Sequence, residues 1–194
     1  MPYGDPKTGY EERIHPALQA VEDVAGPLVI VGHSVSSGYA ALVAEAKPGS
    51  LLVHLCPRLG PFPPPSDAPD TFRKDFPFPP RNESGAMVWD TDRAIDAMYP
   101  RLPPETGRAL AERLRPAAPP AGEYPLAGHP DVPTVLVYAT DDEIFEPAWE
   151  RFMARELLGI EPIEIPGGHF PMVEHPEALA ELFDRLAREH AALA

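Results

Sequence analysis

Short apolar runs alternate along this chain with stretches in which apolar residues recur every three to four positions. Four runs have strand character: Leu28 to Val31, Leu51 to Leu55, Thr134 to Tyr138 and the weaker Ile163 to Ile165. Three of them are near-continuous, as expected when helices cover both faces of a parallel sheet. Helical patterns cover Glu11 to Val24, Ser36 to Ala46, Pro147 to Leu158 and Pro176 to Leu193. The last carries Leu179, Leu182, Phe183 and Leu186 as one stripe. Strands alternating with helices predict βαβ units, hence an α/β fold on a mainly parallel sheet.

One insertion breaks the alternation. Proline-rich loops (Pro61 to Pro65, Pro77 to Pro80) flank a helical stretch from about Thr91 to Arg115, and 18 of the 28 prolines fall between Pro57 and Pro133. Loops this long inside a compact domain are usually functional or disordered. Phe72, Phe76, Phe78, Met87, Trp89, Met98 and Tyr99 give this one apolar surface to pack with. It reads as a cap or lid over an active site rather than a surface excursion. With 194 residues the chain supports one sizeable core. The organisation expected is a single domain, 1–194, with core 1–56 and 131–194 and cap 57–130.

Charge and composition narrow the partners. A formal net charge of −14 opposes binding to nucleic acids, where Lys and Arg must supply the affinity, and adhesion to anionic membranes. No stretch reaches the roughly 18 apolar residues of a membrane span, and the first residues have neither a basic head nor an apolar core of a signal peptide. A cytoplasmic protein is the expectation. The single cysteine, Cys56, excludes an internal disulfide and reads as a buried, inert thiol.

The segment Leu28 to Gly38 carries the first chemical signal. An apolar strand passes through Gly32-His33-Ser34-Val35-Ser36 into an Ala-rich helix. A G-x-S-x-G elbow places serine on a tight strand-to-helix turn, and the next NH, here that of Val35, supplies one oxyanion donor. The helix N-terminus favours the negative charge that develops there. Ser36 departs from the second glycine but is small enough to fit. Serine needs a base, itself oriented by a third group. Thr134 to Tyr138 leads to Asp141 and Asp142, and Ile163 to Ile165 leads to Gly167-Gly168-His169. Both lie at the carboxyl ends of strands, where parallel sheets place their ligands. The order serine, acid, histidine is that of one known serine-triad class. The candidate catalytic residues are therefore Ser34, Asp142 and His169, with Asp141 the competing acid. His33 reads as packing beside the elbow and His175 as capping a turn. His15, His54, His129 and His190 read as structural or solvated. None shows metal-ligand spacing, so neither metal nor cofactor is expected.

On these motifs the sequence resembles α/β-hydrolase-fold esterases, particularly small bacterial members related to plant methylesterases and hydroxynitrile lyases. Gly32-His33-Ser34 is similar to that family's nucleophile elbow. Ala139-Thr140-Asp141-Asp142 is similar to its acid motif, and Gly167 to Pro171 with Glu174-His175-Pro176 to its histidine loop and the start of its last helix. The resemblance implies a three-layer αβα sandwich and assigns the acid to Asp142. It implies ester hydrolysis through an acyl-enzyme, with a small-molecule ester of apolar character as substrate. Only 33 residues precede Ser34, fewer than the family places there, so an N-terminally incomplete fold is expected. An uncovered edge on the first strand, open to self-association, goes with it. Two other functions compete: a non-catalytic hydrolase-like interaction protein, and carbon–carbon cleavage of the hydroxynitrile-lyase type. The latter calls for a cation near the substrate, for which Arg73, Lys74, Arg81 and Arg93 are the cap's candidates.

Overall fold

A computed structural model of the chain describes residues 4–58 and 66–193; the expected Pro61 to Pro65 loop lies outside the described residues. Four strands, β1 (Val29–His33), β2 (Leu51–Leu55), β3 (Thr134–Ala139) and β4 (Ile163–Ile165), form one sheet in the order β1-β2-β3-β4. Every neighbouring pair is parallel, in the register Ile30↔Leu52, His54↔Leu136 and Val137↔Ile163.

Alternation along the strands decides which helix each face meets. Leu52 and Ile30 pack on Ala40, Ala41 and Ala44 of α2 (Ser37–Glu45), and α1 (Tyr10–Glu22) packs on α2. On the same face, Leu136 and Tyr138 meet Trp149 of α5 (Pro147–Phe152) and Met153 just after it. The opposite face, Leu51, Val53, Leu55, Val137 and Ala139, buries Leu179, Leu182 and Leu186 of α7 (Pro176–Leu193). Helices on both sides of the sheet make the expected three layers. The α7 stripe is the one legible in the sequence.

The differences from expectation have local causes. The helical stretch read as Thr91 to Arg115 is two helices, α3 (Thr91–Met98) and α4 (Pro104–Ala111). Pro100 and Pro103 between them cannot continue a helix. Pro147 to Leu158 ends in a π-helical turn, Met153–Leu157. A short helix, α6 (Pro171–Glu174), precedes α7. Residues 66–130 add no strand to the sheet.

Among the described residues β1 has a strand neighbour on one side only. Although Val31 stands in an apolar run it is 40% exposed, because the α7 cluster reaches β1 only at Val29. No helix among the described residues is long and apolar enough to cross a membrane.

Candidate active site

Ser34 sits where β1 turns into α2, at φ 53, one of two non-glycine residues in the left-handed region among the described residues. That conformation costs energy in a residue with a side chain, and such outliers cluster at functional sites. A 3₁₀ turn, Ser34–Ser36, leads into α2. Gly32 makes the turn possible: a Cβ there would stand 2.6 Å from Ala40 Cβ and 2.7 Å from Ser37 Cα. Ser36 has φ −77, an ordinary helical value, so this position needs no glycine. Its hydroxyl donates to the His33 carbonyl, and buried Ser37 donates to the Gly32 carbonyl at 2.9 Å. Val35 stands in the first turn of the helical run, where backbone NH groups lack helical acceptors.

Asp142, beyond the end of β3, is fully buried. Its Oδ1 accepts from the NH groups of Ile144 and Phe145, both at 2.8 Å, and its Oδ2 stands 2.7 Å from Nδ1 of buried His169. The carboxylate is thus fixed by its own loop and presents one oxygen to the imidazole. Asp141 points elsewhere, half exposed, 3.6 Å from Arg101.

His169 follows Gly167, at φ 108, and Gly168, where a Cβ would collide with Glu143, Arg101 and Glu174. The Gly168 NH donates to Glu174 and the His169 NH to Glu143 Oε2 at 3.0 Å. Burial pushes the Glu143 carboxyl up, with the His169 NH opposing it. The imidazole lies among Phe145 at 5.1 Å, Phe170 at 5.1 Å and His33 at 4.7 Å between ring centroids. His33 donates from Nε2 to the His169 carbonyl at 2.7 Å. Burial and the neighbouring His169 lower His33 to about 4, so it is neutral at ordinary pH. The elbow and the histidine loop are therefore in direct contact through His33. Among the described residues the Ser34 hydroxyl makes no hydrogen bond; such bonds are often long in free enzymes and tighten on substrate.

The segment from 66 to 130 reaches this site at several points. Residues 71–73 lie along 144–146, through Arg73 NH to the Ile144 carbonyl (2.9 Å) and Glu146 NH to the Thr71 carbonyl (3.1 Å). Phe72 packs on Phe76, Phe78 and Phe145, and Phe76 on Trp89. Tyr99 packs on Phe170, and Arg101 reaches Glu174 at 3.0 Å. Sequence reasoning named the aromatic residues, and Glu174 only as part of the histidine-loop resemblance, but not Arg101 or Glu143, since single charged residues in loops carry no periodic signal.

The remaining expected residues fall as follows. Arg73 is committed to the Asp142 carbonyl (2.9 Å) and Glu146 (3.1 Å). Arg81 and Arg93 donate to the carbonyls of Gly85 and Phe78. His175 ends α6 and packs on Gly167. His190 hydrogen-bonds the Gly49 carbonyl, and His15 is exposed. Cys56 is fully buried and burial pushes its thiol well up. Ligand atoms of Cys56, Asp142 and His169 lie within 4.8 Å of one another. Asp142 already spends both oxygens on hydrogen bonds, and the thiol is held protonated, so this donor set does not suit a cation.

A model of the alpha/beta hydrolase family matches residues 4–182. Among solved structures, polyneuridine aldehyde esterase aligns with a TM-score of 0.70 at 16% identity, over 92% of this chain and 80% of that one. A variant of the pyrethroid hydrolase PytH gives 0.63 at 20%, over 95% and 79%. A variant of tomato methylketone synthase I gives 0.65 at 17%, over 94% and 80%. These likenesses are of fold. None of the curated protein sequences matches the chain.

Proposed function

This chain belongs to the alpha/beta hydrolase family, and from that premise we propose that it is a serine hydrolase of small, largely apolar carboxylic esters. The observation that carries the reading is the buried Asp142–His169 pair lying against an elbow that holds Ser34 at φ 53.

In this reading Ser34 Oγ attacks the ester carbonyl while His169 Nε2 takes its proton. Asp142, fixed by two backbone NH groups, keeps the other imidazole proton on Nδ1 and stabilises the imidazolium. The tetrahedral oxyanion takes the Val35 NH. Collapse expels the alcohol, protonated by His169, and water then repeats the sequence on the acyl-enzyme. The cluster of Phe72, Phe76, Phe78 and Trp89, which reaches His169 through Phe145 and leaves Phe78 half exposed, favours apolar substrates. The names of two structural neighbours, an aldehyde esterase and a pyrethroid hydrolase, point the same way. Lyase chemistry gains no support from the cap's cations, since Arg73, Arg81 and Arg93 are engaged with carbonyls or carboxylates and Lys74 is exposed.

The test is hydrolysis of p-nitrophenyl butyrate beside cyanide release from mandelonitrile. Ester hydrolysis that disappears in Ser34→Ala, without cyanide release, is expected. A folded chain that hydrolyses no ester, or a Ser34→Ala variant as active as the parent, contradicts the reading and favours a non-catalytic role.

A further inference from the structure

Arg101 lies in the turn between α3 and α4, flanked by Pro100 and by Pro103 at the N-cap of α4. The Leu102 NH closes the turn on the Tyr99 carbonyl at 3.1 Å, and buried Tyr99 packs on Phe170 at 4.7 Å between ring centroids. The turn is therefore seated on the residue that follows His169, and the Arg101 side chain crosses the histidine loop from there.

Gly168 shows how close that crossing is. A Cβ there would stand 2.4 Å from Glu143 Oε2, 2.6 Å from Arg101 Cδ and 2.8 Å from Glu174 Oε1. The three side chains come from three places: the loop after β3, the α3–α4 turn and α6. Two successive main-chain NH groups end on two of them. The Gly168 NH meets both Glu174 oxygens, at 3.0 and 3.1 Å, and the His169 NH meets Glu143 Oε2 at 3.0 Å. The backbone that carries His169 thus hangs between two carboxylates, and like charges this close repel. Arg101 offsets that repulsion. Its Nε donates to Glu174 Oε2 at 3.0 Å, and its Nη2 stands 3.6 Å from Asp141. The hydrogen bond to Glu174, then the charges of Glu174, Asp141 and Glu143, hold the guanidinium proton more tightly than usual, with burial opposing them. The Glu174 side chain is 9% exposed, so water does little to replace the guanidinium there.

We propose that Arg101 is a positioning residue for His169: it neutralises Glu174 and so lets two carboxylates hold the Gly168–His169 main chain in place. The proposal rests on His169 being the base of the Ser34 reaction. An ion pair whose cation is 42% exposed contributes little to stability, so the part Arg101 plays is geometric. Because Arg101 belongs to the segment from 66 to 130, the seating of that segment helps to place the base.

The test is made on the full chain. Arg101→Met keeps a stem over Gly168 and removes the charge. On p-nitrophenyl butyrate kcat should fall about tenfold with KM within about twofold. The thermal midpoint should move by no more than about 3 °C. Arg101→Lys should recover most of kcat. In the double variant Arg101→Met with Glu174→Gln, the amide oxygen still accepts from the Gly168 NH and carries no charge, so kcat should return close to that of the parent. The Gly168 and His169 amide ¹H–¹⁵N resonances should shift in Arg101→Met and move back in the double variant. Unchanged kcat in Arg101→Met, a loss confined to KM, a loss shared equally by Arg101→Lys and the double variant, or a loss that follows a lowered midpoint overturns the proposal. The resonances need no turnover. A folded parent without esterase activity contradicts the serine-hydrolase reading, whereas amides that stay in place in Arg101→Met contradict this one.

Discussion

His33 donates from Nε2 to the backbone carbonyl of His169 across 2.7 Å, so the residue before the candidate nucleophile holds the candidate base by its main chain. The bond joins the last residue of β1 to the loop after β4, the two strands at opposite ends of the sheet order. Misplacement of a catalytic group by about 1 Å costs up to ~10² in rate. His33→Phe keeps a ring beside His169 but removes the donor. Steady-state kinetics on p-nitrophenyl butyrate should show kcat lowered roughly 10- to 100-fold and KM within about twofold. A KM-dominated change would mean that His33 shapes the substrate pocket instead.

Asp142 and Asp141 are neighbours in sequence but not in environment: one is buried against His169, the other exposed beside Arg101. Asp142→Asn should lower ester turnover by about 10⁴, as loss of the orienting carboxylate does in serine triads. Asp141→Asn should stay within a few-fold of the parent. Comparable losses in both variants would show that the loop, rather than the Asp142 carboxylate, is what matters.

At the elbow, Gly32→Ala places a methyl group 2.6 Å from Ala40 Cβ, with the Ser37 backbone as close, so β1 and α2 must part. Overpacking of this kind costs about 1–3 kcal/mol. Ser36→Gly should be nearly neutral for activity, because Ser36 already has a helical φ. Denaturant unfolding and kcat for both variants check this; an active, fully stable Gly32→Ala would show the close approach to be relaxed.

Much of this was legible in the chain. The four strands, the α7 stripe and Ser34, Asp142 and His169 each have a local signature: an apolar run, a 3.6-residue period, a small-residue turn at a strand end. Pro100 and Pro103 were equally visible, and splitting Thr91 to Arg115 there needed only the helix rule for proline. The His54–His129 contact was not legible. His54 hides inside an apolar strand and its partner stands 75 residues away in a loop, so only tertiary structure brings them together. The same holds for Arg101, whose partners Asp141 and Glu174 lie on loops after β3 and β4.

Glu150 supplies a pH dependence. Its carboxyl is fully buried with both oxygens unpaired, and burial, reinforced by the Asp142 charge, raises it to about 10. Below the unfolded value of 4.5 both states hold the proton. Above it the unfolded chain releases the proton and the folded chain keeps it, so stability falls as pH rises from 4.5 toward 10. Glu150→Gln removes this linkage. Its gain over the parent should be small near pH 5 and grow to roughly 1–3 kcal/mol near pH 7. Urea unfolding at both pH values measures it, and an equal gain at each would contradict the assignment.

The central claim is that Ser34, His169 and Asp142 act together as an assembled nucleophile, base and acid. Labelling of the purified chain with a fluorescent fluorophosphonate tests it most directly, beside Ser34→Ala and His169→Ala variants shown to be folded. Labelling of the parent that is lost in both variants is the result predicted. A folded parent that takes no label, or label that persists in Ser34→Ala, would contradict it.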